Sequence, residues 1–204
     1  MRKRLCGFSW ALCAALLAVS FSGLPAGVFA EDLTDQQILV EKARVTFMNF
    51  MADENMSWLH DNLKNARGVL IIPELMKAGF VLGGSGGSGV LLVRDPKTGQ
   101  WNGPAFYTIG EASFGLQIGG EAAEVVLVAM TERGVTALLS HSVKLGGDVG
   151  VAAGPGGVGV DASTANLRAD IIGYSLSKGR YGGVSIEGAV VGVRNDWNQP
   201  TTRM

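Results

Sequence analysis

The chain has 204 residues, with 17 Lys and Arg against 18 Asp and Glu and only two cysteines, Cys6 and Cys13. That charge balance argues against nucleic acid, which demands a basic footprint. The length suits one domain with a sizeable core rather than a small scaffold held by staples.

The N-terminus places Arg2, Lys3 and Arg4 before an apolar stretch over residues 5–24, then Pro25 and Gly27-Val28-Phe29-Ala30 ahead of Glu31 and Asp32. This charged, apolar, small-residue order is that of a secretory signal peptide, with cleavage expected after Ala30. An uncleaved anchor is the alternative, since the apolar run approaches the roughly 20 residues that span a bilayer. Pro25, which ends the helix, and the small residues behind it favour cleavage. Cys13 follows Leu12 in mid-stretch, so a lipoprotein signal does not fit. Export implies a periplasmic or secreted protein, with association to the cell envelope.

The first thirty residues hold three of the cations and none of the acids, so residues 31–204 carry 14 Lys and Arg against 18 Asp and Glu. They also lack cysteine, which excludes disulfides and cysteine-ligated metals from the processed chain. The expected organisation is a signal peptide over 1–30 and a single domain over 31–204, helical across 34–65 and β-rich across 67–195.

Thr34 and Gln37 have capping-box spacing. Behind them Ile38, Val45 and Met48 recur near helical spacing, widened by Leu39, Phe47, Phe50 and Met51, so the segment reads as an amphipathic helix. Asp53-Glu54-Asn55 interrupts it, and Met56, Leu59 and Leu63 begin a second stripe beside Trp58. Packing of both helices on an apolar layer is the simpler account; a membrane-surface helix is the sharper one.

After Arg67 glycine becomes abundant and short apolar runs replace the helical period. Strands are expected over 69–72, 80–83, 90–94, 105–109, 112–118, 124–130, 143–152, 167–176 and 184–193. Turn chemistry separates them, notably Asp95-Pro96-Lys97-Thr98-Gly99 and Ser177-Lys178-Gly179-Arg180. One more helix is expected over 131–140. The fold class is α+β: N-terminal helices packed on a glycine-rich, mostly antiparallel, curved or barrel-like sheet. A membrane β-barrel would need aromatic girdles and long alternating strands. Residues 31–204 hold only 11 aromatics, several of them in the helical segment.

Two formal G-x-G-x-x-G spacings occur, at Gly84, Gly86, Gly89 and at Gly154, Gly156, Gly159. A dinucleotide site needs that turn to open a helix, whereas both runs lead into β-like segments. Glycines used for tight turns, bulges, positive φ and close packing are the better reading, with no nucleotide and no cofactor. Catalytic patterns are weak. His60 and His141 stand apart, no H-E-x-x-H or G-x-S-x-G is present, and a site around His141 and Asp148 or carboxylates at Glu111, Glu121 and Glu124 would need tertiary assembly.

Seven segments in order carry a resemblance. They are Asn65-Ala66-Arg67-Gly68-Val69, Lys77-Ala78-Gly79-Phe80, Gly86-Gly87-Ser88-Gly89-Val90, Gly115-Leu116-Gln117-Ile118-Gly119, Ala152-Ala153-Gly154-Pro155, Tyr174-Ser175-Leu176-Ser177-Lys178-Gly179 and Gly183-Val184-Ser185-Ile186-Glu187-Gly188. Spanning roughly 35–196, the chain resembles the SYLF lipid-binding domain family. The resemblance implies a non-enzymatic binding module. Eukaryotic members attach to phosphoinositide-bearing membranes through an amphipathic helix and basic residues, and some bind actin; exported bacterial members look like envelope proteins with a lipid-binding role. On this footing Lys77, Lys178 and Arg180, which by themselves read as solvated turn residues in glycine-rich surroundings, are the candidate contacts to lipid phosphates, and the partner is phospholipid or a membrane surface. A protein partner, as for an envelope scaffold, is the alternative, and a hydrolase using His141 a lesser one. Ser85 and Leu176 stand where eukaryotic members would carry arginine, which argues against strong polyphosphoinositide recognition. Export takes actin off the list of partners.

Overall fold

A computed structural model describes residues 33–79, 82–114, 119–154, 169–177, 180–181 and 187–199. Helix α1 (Asp35–Ala52) ends at Asp53, whose carboxylate accepts the Asn55 N–H, and a short 3-10 turn leads into α2 (Ser57–Asn62). The acidic interruption expected at 53–55 is therefore the helix break. Four long strands follow, β1 (Gly68–Gly79), β2 (Leu82–Arg94), β3 (Trp101–Phe114) and β4 (Gly119–Ala129). Helix α3 (Glu132–Leu139) then precedes β5 (Ser142–Lys144), β6 (Val151–Ala153), β7 (Ile171–Ser177), β8 (Arg180–Tyr181), β9 (Val190–Val193) and the single turn α4 (Asn195–Asn198).

The fold is α+β, with the helices on a strongly curled, mostly antiparallel sheet. Its strand order is β5-β9-β3-β2-β1-β4-β7-β6, with β8 paired to β7; among the described strand pairs β6 and β7 run parallel and the others antiparallel. The central strands are apolar on both sides. Leu70, Ile72, Val125 and Leu127 pack on a face covered by α3 and the 142–149 segment. Val69, Ile71, Val126 and Val128 pack on the face covered by α1 and α2. Uninterrupted runs of this kind belong to strands buried on both sides.

Three expectations are corrected. The first strand does not stop at Ile72: β1 passes through Pro73 and continues to Gly79. It does so on a bulge, where the register shifts between Ile71 and Glu74 against β2 and between Ile72 and Leu75 against β4. A bulge is where a strand tolerates a residue with no N–H. Secondly, residues 83–89 are not turns but lie inside β2. The glycines with positive φ among the described residues are Gly99, Gly103, Gly146 and Gly188. What the run accommodates is close approach at the bulge: a Cβ on Gly87 would sit 2.5 Å from the Glu74 carbonyl oxygen, and one on Gly89 2.9 Å from that of Ile71. Gly84, Gly86 and Gly89 are thus strand residues with no helix behind them, and the second glycine spacing lies beyond Gly154 outside the described residues. Thirdly, the strand expected over 143–152 is two. It breaks at Gly146, φ +78°, where the Asp148 carboxylate accepts the Lys144 N–H at 2.8 Å. The Asp95 turn forms as expected, with the N–H groups of Lys97 and Thr98 each 2.8 Å from its carboxylate. Those backbone donors, Thr98 first, hold the Asp95 pKa below its ordinary value.

Candidate functional site

Helix α1 begins with the capping box its sequence announces: Gln37 N–H donates to Thr34 Oγ1 at 3.3 Å, and Thr34 N–H donates to Gln37 Oε1 at 2.7 Å. The helix crosses the sheet on a line of residues spaced four, three and four apart, Leu39, Ala43, Thr46 and Phe50, all buried. The one polar member, Thr46, donates its hydroxyl to the Glu124 carboxylate of β4 at 2.9 Å. Lys42 meets Glu74 of β1 at 3.7 Å. These contacts fix which side of the helix faces the sheet.

The consequence corrects part of the stripe read from the sequence: Leu39, Phe47, Phe50 and Met51 pack on the sheet side. Ile38, Val45 and Met48 do not pack on the sheet; they stay 40%, 49% and 56% exposed, beside Leu33 at 58%. An apolar strip therefore lies on the outer side of a helix whose other side is fully used. Charges interleave it: Arg44 bridges to Glu41 at 2.9 Å and reaches the Met48 sulfur at 3.3 Å. Scattered single apolar residues on a surface need no explanation, but several on one helix flank mark an interaction site. Among the described residues no helix is long and apolar enough to cross a membrane.

Beside the strip, a groove of about 340 Å³ runs between Leu33, Gln37, Val40 and Glu41 on one side and Pro104 and Phe106 of β3 on the other. Its Phe106 wall is held from behind. Trp197 of α4 meets that ring edge-on at 5.6 Å, and Asn198 exchanges two hydrogen bonds with the Phe106 backbone, at 2.8 and 2.7 Å. The Arg194 guanidinium lies 3.6 Å over the Trp197 ring and bonds Asp196 at 3.0 Å, which holds the Asp196 carboxyl below its usual pKa.

Of the three basic candidates, Lys77 lies inside β1, not in a turn, at a position paired with Ser85 of β2 and Glu121 of β4. Side chains alternate along a strand. Lys77 therefore shares the face of buried Leu75, while Glu74, bound to α1, is on the other. Arg180 is paired with Ser177 in the row that continues through Ala123 to Leu75, so the topology brings Lys77 and Arg180 to one end of the sheet. Lys178 lies outside the described residues. None of this joins Lys77 to the α1 strip, which is on the opposite face.

Among the described residues the catalytic alternatives come together only in part. His60 Nε2 is 3.2 Å from the Phe50 carbonyl oxygen, tying α2 to α1. The Asp148 carboxylate is engaged in its own turn, and His141 is exposed. Glu124 bonds Thr46 on the α1 face, whereas Glu111 follows Ile109 on the other and shares a cross-strand row with Ser85, Lys77 and Glu121. Among the described residues no group of three His, Cys, Asp or Glu could hold a metal.

Residues 110–201 match the family described as "Ysc84: Las17-binding protein actin regulator". The chain is 36% identical over 143 residues to LAS seventeen-binding protein 3 of Saccharomyces cerevisiae, covering 68% of this chain and 31% of that protein. It is 37% identical over 142 residues to protein YSC84 of the same yeast, covering 67% and 30%. With the human SH3 domain-containing YSC84-like protein 1 it shares 32% over 139 residues, covering 67% and 40%. The chain thus spans about a third of the length of these curated relatives.

Proposed function

The chain carries a Ysc84, or SYLF, domain, and from that premise we propose that it is a non-enzymatic lipid-binding protein of the cell envelope, which docks on phospholipid surfaces through α1. The observation that carries this reading is the apolar strip of Ile38, Val45 and Met48, left exposed by a helix that is otherwise anchored by Leu39, Phe50 and the Thr46 to Glu124 bond. A helix of this kind lies in the plane of a membrane interface and inserts its apolar flank to the depth of the acyl boundary. Each of the three side chains contributes on the order of 1 kcal/mol for the part still exposed to water. Leu33 and the neighbouring groove against Phe106 extend the same apolar surface. The signal-like order of residues 1–30 supports an envelope location.

Flotation on vesicles of mixed zwitterionic and anionic phospholipid tests the reading. The protein is expected to float, and Val45→Asp to reduce the bound fraction at least tenfold with unchanged circular dichroism. No flotation on any vesicle would sink it. A second reading, a protein-interaction module, is favoured by relatives whose names state that they bind Las17. It predicts a partner recovered from cross-linked envelopes whether or not lipid is present.

A further inference from the structure

The charges that frame the α1 strip point to a particular surface. We infer that it docks on net-neutral, zwitterionic phospholipid rather than on anionic lipid, an inference that rests on the membrane-docking reading above. The helix has only two cations, and both stand beside a carboxylate: Lys42 at 3.7 Å from Glu74, and Arg44 at 2.9 Å from Glu41. From Asp35 to Glu54 the chain carries two bases against four acids, Asp35, Glu41, Asp53 and Glu54. The sheet beneath adds two more acids, Glu74 and Glu124, through their contacts with Lys42 and Thr46.

A peripheral helix gains from an anionic leaflet in proportion to the Lys and Arg it brings near the surface. Here the local sign is reversed, so an anionic leaflet repels the strip that hydrophobic burial draws in. A zwitterionic leaflet offers phosphate and ammonium side by side, and the paired Lys42/Glu74 and Arg44/Glu41 charges match both without leaving either stripped of a partner. Lys77 does not change the balance at the contact, because it lies on the opposite face of the sheet. The charge of residues 31–204 as a whole has the same sign as the local one.

The test is flotation of the exported protein on phosphatidylcholine vesicles and on vesicles with a third of that lipid replaced by phosphatidylglycerol, each at low and at physiological salt. The expected result is binding to phosphatidylcholine that is insensitive to salt, a several-fold loss on the anionic vesicles at low salt, and recovery of that loss as salt screens the repulsion. The double variant Glu41→Gln with Glu74→Gln, both sites exposed, should raise binding to the anionic vesicles at least tenfold and weaken binding to phosphatidylcholine, whose ammonium loses its two carboxylate partners. Binding that rises with phosphatidylglycerol and falls with salt, or a double variant that behaves like the parent, overturns the zwitterionic assignment while leaving lipid binding in place. Absence of flotation on both vesicle types, including the case where Val45→Asp only splits a dimer seen by light scattering, overturns both readings.

Discussion

Gly87 and Gly86 are neighbours in one strand and chemically identical, yet a methyl group would meet different surroundings at each. At Gly87 it would sit 2.5 Å from the Glu74 carbonyl oxygen and 3.0 Å from Ile72; at Gly86 the nearest atom is the Ile109 carbonyl oxygen at 3.9 Å. Overpacking against backbone that cannot yield costs about 1–3 kcal/mol. Gly87→Ala is therefore expected to lower the urea-derived unfolding free energy by about 2–3 kcal/mol, and Gly86→Ala by less than about 0.5 kcal/mol. Equal losses at the two sites would count against the bulge as the reason for glycine. The same bulge explains why Pro73 reads as a strand end in the sequence but is not one. Its missing N–H is harmless only because the register slips there, and a slip depends on two partner strands that a local window does not contain.

At the scale of the element, α1 separates what local chemistry dictates from what it leaves open. Its start is legible in two residues, because a capping box is satisfied within one turn. Thr34→Ala should cost about 1 kcal/mol and raise the amide exchange of the first turn without disturbing α2. Its break at Asp53 is equally local. The face it buries is only partly so. Two apolar lines run along the helix, Ile38 and Val45 with Met48, and Leu39, Ala43 and Phe50 flanked by Val40, Phe47 and Met51, and the second carries the greater apolar bulk. What the sequence leaves open is how that side accommodates a polar residue: Thr46 is buried there because Glu124 of a distant strand receives its hydroxyl. Lys77 makes the same point. It reads as a turn residue among glycines, whereas pairing with β2 and β4 makes it a strand residue on the face away from α1.

For the whole molecule, two apolar layers share one sheet, Ile72 contributing to one and Ile172 to the other. Because every central strand feeds both layers, they are expected to unfold together. Ile72→Val and Ile172→Val should each cost about 1 kcal/mol. Across the thickness of the sheet, their effects should add to within about 0.5 kcal/mol, in a single transition seen alike by circular dichroism and fluorescence. Two separable transitions would mean that the helical layer is an independent unit. Short-range patterns alone were enough to determine the α+β class, the helix start and break, the Asp95 turn and the kinship with SYLF domains, because capping, turn chemistry and ordered sequence blocks all act within a few residues. Tertiary structure decided the course of β1 through Pro73, the role of the glycine run, the opposite faces of Lys77 and α1, and the exposure of Ile38, Val45 and Met48. Each of those depends on a partner on another element, Gly87 for Glu74 and Glu124 for Thr46, and no periodicity along the chain specifies which strand will supply it.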